Sequence, residues 1–348
     1  MIKIDGSYGE GGGQILRTAL FLSLVTSTPF KIFNIRSSRK NPGLKRQHLT
    51  IIRALKMLTT SDVVGDKLGS RELEFIPGNI FGGNIDLDVE TAGSIPLVLQ
   101  TLIPVLLFAR NSSKLIVYGG TDVSGGMTMD YMHYVLIPHL SRFVNKISIN
   151  VWRRGYYPRG NGKVEIEIIP RYHTFGDVRR EVSPLKLDSC GKLKSVSVYS
   201  VSSTRLRGRK VAERQVEGVL RVLSELLSRT GISPEIYVRY ERSFSPGCSI
   251  LITGNLGKNY TIGSDGIGKL GVPAEKIGEE AAKKFVYEIE QGACVDRHLQ
   301  DNLIPFLGIV GGRMRVSEVT THTKSNIWVT EKFLPVKFEV RGNLIVSR

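Results

Sequence analysis

Of the six histidines in the chain, His322 has the surroundings of a nucleophile. It lies in Thr320-Thr-His-Thr-Lys-Ser-Asn326, which reads as a hydroxyl-rich turn. A neutral imidazole can attack phosphorus, and Lys324 beside it would help stabilise phosphate charge. His133 and His139 sit in an apolar stretch and read as helix packing. No HxH or HExxH pattern occurs, so histidine-zinc chemistry has no support. Near the other end, Asp5-Gly-Ser-Tyr-Gly-Glu-Gly-Gly-Gly-Gln14 is a glycine-rich turn running into an apolar helix. It is neither a Walker A loop nor GxGxxG. Glycines by themselves mark special backbone geometry. Glu10 adds a single carboxylate at a helix start, suited to holding Mg²⁺ beside a phosphate.

A third group is Arg36-Ser-Ser-Arg39-Lys40-Asn-Pro-Gly-Leu-Lys45-Arg46-Gln47-His48. Solvated charge runs are common. Here no carboxylate compensates, and arginines in such a loop can grip phosphate oxygens bidentately. Trp152-Arg-Arg-Gly-Tyr-Tyr-Pro-Arg159-Gly-Asn-Gly-Lys163 interleaves aromatics with arginine. That suits single-stranded nucleic acid and equally a solvent-facing hairpin. Arg205-Leu-Arg207-Gly-Arg209-Lys210 reads first as surface.

Composition agrees with a polyanionic partner. The 348 residues hold 48 Lys and Arg against 32 Asp and Glu, a formal charge of +16. Hydrophobic residues make up 41% and charged residues 23%, ordinary for a globular protein. No apolar run approaches the roughly 18 residues of a membrane span, and the start lacks a signal-peptide shape. Cys190, Cys248 and Cys294 are widely spaced and odd in number. A disulfide framework and a structural zinc site are therefore not expected, and a reducing cytoplasm is the simplest setting.

These residues need elements to position them, and an internal repeat supplies a candidate. Three segments read as apolar helix, short polar turn and strand, starting near Arg17, Gln100 and Gln300. Each helix is apolar nearly all round, as expected when buried against a sheet. Each opens on a polar residue: Arg17, Gln100 and Gln300-Asp301. The first step is 83 residues and the second 200, which predicts an inserted module of about 100 residues. Inside it, strands are expected at 194–201, 235–240 and 249–253, and helices at 211–229 and 274–291. The predicted fold class is α/β (α+β). A large domain of three similar α/β repeats (1–186 and 290–348) carries a smaller inserted α/β sandwich domain (187–289).

Several segments together resemble the RNA 3′-terminal phosphate cyclase family. They are Asp5-Gly6 with Gly9-Glu-Gly-Gly-Gly-Gln-Ile-Leu-Arg17, Pro42 to Leu49, Ala92-Gly-Ser with Leu97-Val-Leu-Gln-Thr101, and Gly119-Gly-Thr-Asp122. Leu299-Gln-Asp301, Thr321-His-Thr, Ser325-Asn-Ile and Phe333-Leu-Pro complete the set. The resemblance implies three similar α/β repeats with a small α/β domain inserted before the third. It implies ATP-dependent conversion of an RNA 3′-terminal phosphate to a 2′,3′-cyclic phosphodiester, through a covalent histidine–AMP and an RNA-adenylate. It implies ATP, a divalent cation (Mg²⁺ or Mn²⁺) and RNA with a 3′-terminal phosphate as cofactors and partner. By the same resemblance His322 is the nucleophile and Glu10 the metal ligand. Arg17, Gln100, His298, Leu299, Gln300, Asp301 and Asn302 fall at ATP-site positions, and Tyr260 where an aromatic stacks on adenine. Arg36, Arg39, Arg46, Gln47 and His48 fall at phosphate- or RNA-binding positions. His298 replaces a tyrosine of bacterial members, and Met127 stands where proline can occur. Non-catalytic cyclase-like ribosome-biogenesis proteins share the fold but lack the nucleophilic histidine, and His322 argues against that alternative. Oligomeric state is not legible in the sequence.

Overall fold

The computed structural model describes residues 1–257 and 260–348. The first unit runs β1 (Ile2–Asp5), α1 (Gln14–Thr26), β2 (Phe30–Phe33), α2 (Arg46–Leu58), β3 (Asp62–Val64) and β4 (Leu73–Ile76). Its sheet has the order β1-β2-β4-β3. Only β1 and β2 are parallel, because a helix crosses between them while β3 and β4 form a hairpin.

The second unit repeats that plan. It comprises β5 (Asn84–Asp88), α3 (Ile95–Leu106), β6 (Ser113–Gly119) and a helical segment broken into α4 (Met129–Tyr131), a π turn (Met132–Leu136) and α5 (Ile137–Leu140). The hairpin of β7 (Val144–Arg153) and β8 (Gly162–Pro170) closes it, in the order β5-β6-β8-β7. A short helix α6 (Phe175–Glu181) leads to β9 (Leu185–Leu187).

After β9 the chain leaves for the inserted module. This holds β10 (Ser195–Ser203), a 3₁₀ turn (Thr204–Arg209), α7 (Val211–Thr230), β11 (Glu235–Glu241), β12 (Cys248–Asn255), β13 (Thr261–Ile267) and α8 (Ala274–Glu290). Its sheet order is β11-β10-β12-β13. The chain returns as α9 (Arg297–Val310), β14 (Gly312–Arg315), α10 (Thr321–Phe333), β15 (Phe338–Arg341) and β16 (Leu344–Ser347). The third sheet, β15-β16-β14-β9, has β9 and β14 parallel and the rest antiparallel, the same plan again.

The three-repeat α/β architecture with its inserted sandwich is therefore the observed fold. The repeating unit is larger than the helix–turn–strand read from sequence, and the insertion interrupts the third unit after its first strand. That strand is three residues long, too short to show alternation. The module also contains a strand not expected, β13. Its Gly263, Asp265 and Gly266 are poor strand formers. Gly263 is required by close approach, since a Cβ there would lie 2.6 Å from Val135.

Packing explains why the first helix of each unit is apolar all round. In α1 every residue from Ile15 to Val25 except Arg17 is buried. Phe21 meets Phe108, just past α3, at 6.1 Å between ring centroids and Phe306 of α9 at 5.5 Å. The first helices thus share one core, each large apolar side chain contributing about 1.5–3 kcal/mol.

The cysteine expectation is corrected. Cys190 and Cys294, 104 residues apart, form a disulfide, leaving Cys248 free and buried. The pair joins the two linkers at the base of the inserted module, a proximity created by the fold alone. Among the described residues no helix is long and apolar enough to cross a membrane.

Candidate active site

Four helices point their N-termini at one cavity of about 400 Å³. From α1 it receives Gln14, Arg17 and Thr18; from α3, Leu97 and Gln100. From α9 come His298, Asp301 and Asn302, and from α10 His322 and Asn326, with Gly125 to Met127 along one edge. The positive ends of helix dipoles and their free N–H groups make such a place favourable to anions. Three of these helices are capped by side chains: Ser94 for α3, Asp296 for α9 and Thr320 for α10. Helix α1 begins at Gly13 with no side-chain cap.

His322 is in the first turn of α10 rather than in a turn before it. The hydroxyls around it serve the helix start, where Thr320 accepts from the Thr323 N–H at 3.0 Å. His322 Nε2 stands 3.3 Å from Glu10 Oε2, and Arg39 Nη2 is 3.4 Å from the same oxygen. The glycine turn brings Glu10 there. Gly9 has φ of +60° and lies so near α10 that a Cβ would be 2.5 Å from Ser325 Oγ.

Asp301 faces the pocket one helix away. Its carboxylate accepts from Thr323 Oγ1 at 2.7 Å and Thr320 Oγ1 at 3.3 Å. Burial pushes it up to about 6, opposed by the Thr323 hydrogen bond and by His322 and His298. Around it, Thr18 Oγ1 donates to Asn326 Oδ1 at 2.8 Å, and Gln100 Nε2 to Asn302 Oδ1 at 3.1 Å. Side chains from all three units are thus hydrogen-bonded across the cavity. Asp296, fully buried, anchors α9 by accepting from the N–H groups of His298 and Leu299, from Tyr131 and from the Gly263 N–H of the inserted sheet.

The first unit supplies the positive side. Burial pulls the Arg17 guanidinium down to about 10, with Asp301 opposing, so it stays charged at neutral pH. His48 is buried, and burial together with Arg17, Arg36 and Lys45 pulls it down to about 3. Its Nδ1 accepts from the Lys45 N–H at 2.9 Å, so the proton of the neutral ring is on Nε2. That N–H has no partner among the described residues and faces Gly13, at the uncapped start of α1 and beside Arg17.

Other expected site residues lie elsewhere. Leu299 is core and Gln300 is buried with Nε2 donating to the Glu318 carbonyl. Helical spacing turns 298, 301 and 302 to the cavity and 299 and 300 away from it. Tyr260 does not line the cavity. Its ring is buried and its hydroxyl donates to the Lys186 carbonyl. Arg36 donates to the Asn41 and Gly43 carbonyls of its own loop, Arg46 pairs with Glu90, and Gln47 is half-buried on α2 away from the lining. Thr18, Asn326 and the Gly125-Gly126 pair were not anticipated as lining. For Asn326 a signal existed, since it follows His322 by four residues on a helix face.

Comparison with known proteins gives the family. The family model described as RNA 3′-terminal phosphate cyclase matches residues 8–340. The chain belongs to that family. An RNA 3′-terminal phosphate cyclase from Pyrococcus furiosus is 42% identical over 344 residues, covering 99% of this chain and 96% of the relative. One from Saccharolobus solfataricus is 40% identical, covering 98% and 97%. The enolpyruvyl transferase NikO from Streptomyces tendae aligns over 99% of this chain and 81% of its own at 8% identity, with a TM-score of 0.21. That likeness carries no argument. The family is one of enzymes, so the cavity is a candidate active site.

Proposed function

We propose that this enzyme uses ATP to convert an RNA 3′-terminal phosphate into a 2′,3′-cyclic phosphodiester, with His322 as a transient carrier of AMP. The observation that supports it best is His322 beside Glu10 at a cavity walled by four helix N-termini. A triphosphate suits such a cavity, and an imidazole at its wall suits attack on phosphorus.

In this reading the His322 lone pair attacks the α-phosphorus of ATP. A nitrogen–phosphorus bond forms, the α–β anhydride breaks, and pyrophosphate leaves. Next an oxygen of the RNA 3′-phosphate attacks the same phosphorus and His322 departs, giving an RNA-adenylate. Finally the vicinal 2′-OH attacks the RNA phosphorus, loses its proton and expels AMP. Adenylylation supplies the leaving group that a phosphate monoester lacks, and the adjacent hydroxyl makes ring closure intramolecular. Arg17 and the His48 N–H would stabilise phosphate oxygens at the start of α1. Asp301, tied to the first turn of α10 through Thr320 and Thr323, would orient that helix start and His322 with it.

A divalent cation would take one ligand from this chain and the rest from nucleotide and water. Glu10 offers one carboxylate, and no cluster of three or more ligating side chains occurs among the described residues. Glu10 would hold the ion, which when bound would neutralise phosphate charge. The reading carries a cytoplasmic setting with it, where ATP and RNA ends meet.

The test is covalent labelling. After incubation with α-labelled ATP and Mg²⁺ and denaturation, the protein should retain acid-labile, base-stable label, and His322→Ala should retain none. Absence of label from the natural protein would overturn the carrier mechanism; label that survives in His322→Ala would overturn the residue assignment.

A further inference from the structure

Three loops meet at a surface patch that the reaction just described does not use. The first is the β7–β8 hairpin tip, which exposes Trp152 by 60% and Tyr157 by 78%. The second is the Ser243 to Gly247 loop of the inserted module, with Phe244 40% exposed. The third is the 3₁₀ turn from Thr204 to Arg209. Contacts link all three. The Arg159 N–H donates to Ser245 Oγ at 3.1 Å, and Arg153 lies 4.9 Å over the Phe244 ring. Ser243 Oγ donates to Ser203 Oγ at 2.9 Å, at the start of the turn.

Charge in the patch is one-sided. Between Arg153 and the rest of the tip, Arg154 is buried and takes Asp122, Asp130 and Glu241 as partners. Of the surface arginines, Arg153 donates to the Asn161 carbonyl and Oδ1, and Arg207 lies near Glu213. Arg153, Arg159 and Arg242 form no ion pair among the described residues, nor do Arg205, Arg207 and Arg209 of the turn. Large exposed aromatics are costly to leave in water. Interleaved with arginines that form no salt bridge, they have the composition of a surface that stacks bases and contacts phosphates of a single strand.

The hairpin tip also touches the loop that leads into α3, one of the helices that wall the cavity. At the hairpin tip Gly160 packs against the Thr91 carbonyl and Ala92. Two residues past Ala92, Ser94 caps α3, which presents Gln100 to the cavity. On the other side of the same loop Glu90 holds Arg46.

We propose that this patch binds the single-stranded stretch of RNA that precedes the reacting 3′ end. Bases stack on Trp152, Tyr157 and Phe244, and phosphates pair with the surrounding arginines. The proposal takes its substrate from the cyclase reading, but its binding test is independent of catalysis.

A labelled single-stranded RNA of about twelve nucleotides, ending in a 3′-hydroxyl, is titrated with the full chain by fluorescence anisotropy. Trp152→Ala and Tyr157→Ala should each weaken binding about tenfold, since stacking is worth roughly 1–3 kcal/mol per base. Trp152→Phe should retain most of the affinity. Arg159→Gln and Arg242→Gln should each lower the salt slope by roughly 0.7. With a 3′-phosphate, the longer RNA should show a raised KM in the aromatic variants. A dinucleotide 3′-phosphate, too short to reach the patch, should be turned over as by the natural protein. Unchanged affinity in every variant overturns the proposal, and so does an equal loss for the dinucleotide. Loss of binding to phosphatidylserine vesicles with RNA binding intact also overturns it, as that would make the patch a membrane contact. If RNA affinity responds as stated while no protein forms cyclic phosphate, the patch stands and the catalytic reading falls.

Discussion

Asp301→Asn should make the protein more stable at neutral pH while impairing its reaction. Burial raises the carboxyl from an ordinary 3.8 to about 6. At about 1.4 kcal/mol per tenfold change in proton affinity, that is a cost of roughly 3 kcal/mol for carrying the ionised group at pH 7.5. The sign follows from proton binding. Between pH 4 and 6 the folded chain holds this proton and the unfolded chain has released it, so stability falls as pH rises through that window. The cost is complete above about 6 and absent below 4. Asparagine keeps an oxygen for the Thr320 and Thr323 hydroxyls and carries no charge. Thermal unfolding of both proteins from pH 4 to 8 is the assay. If the whole chain melts as one unit, roughly 3 kcal/mol is an upshift of about 4 °C at pH 7.5, shrinking toward zero near pH 4. An equal or lower melting point at pH 7.5, or a difference independent of pH, would refute the idea that this carboxylate is held at a cost. Labelling of His322 by ATP should fall in the same variant.

Tyr260→Ala should leave the KM for ATP unchanged and lower the melting temperature, because its ring is buried away from the cavity and its hydroxyl serves the Lys186 carbonyl; a large rise in that KM would restore it to the nucleotide site. Cys190→Ser with Cys294→Ser should destabilise by about 2–4 kcal/mol, since the disulfide closes a loop of about 100 residues, and a free-thiol count on the natural protein under denaturing conditions should report one cysteine of three.

What could be read from the chain depended on how local the signal was. The opening residues Arg17, Gln100 and Asp301 stand out because each interrupts an apolar helix, and all three do face the cavity. The stretch around His298 reads as a block in the sequence, whereas helix geometry selects only three of its five residues. Strands β9 and β13 escaped because one is three residues long and the other carries glycines required by its neighbours. The Cys190–Cys294 pair depends on where two distant linkers meet, which spacing does not encode. Likewise Arg154 sits in a basic, aromatic run yet is buried among three carboxylates contributed by distant segments.

Triplication in this fold brings no redundancy. A protein made of three like units might be expected to own three like sites, each able to survive loss of the others. Here each unit builds one wall of a single chamber, and the walls have diverged: cationic from the first, amide from the second, acid and imidazole from the third. A chain truncated to two units would lose that chamber and lay open the core that the first helices share.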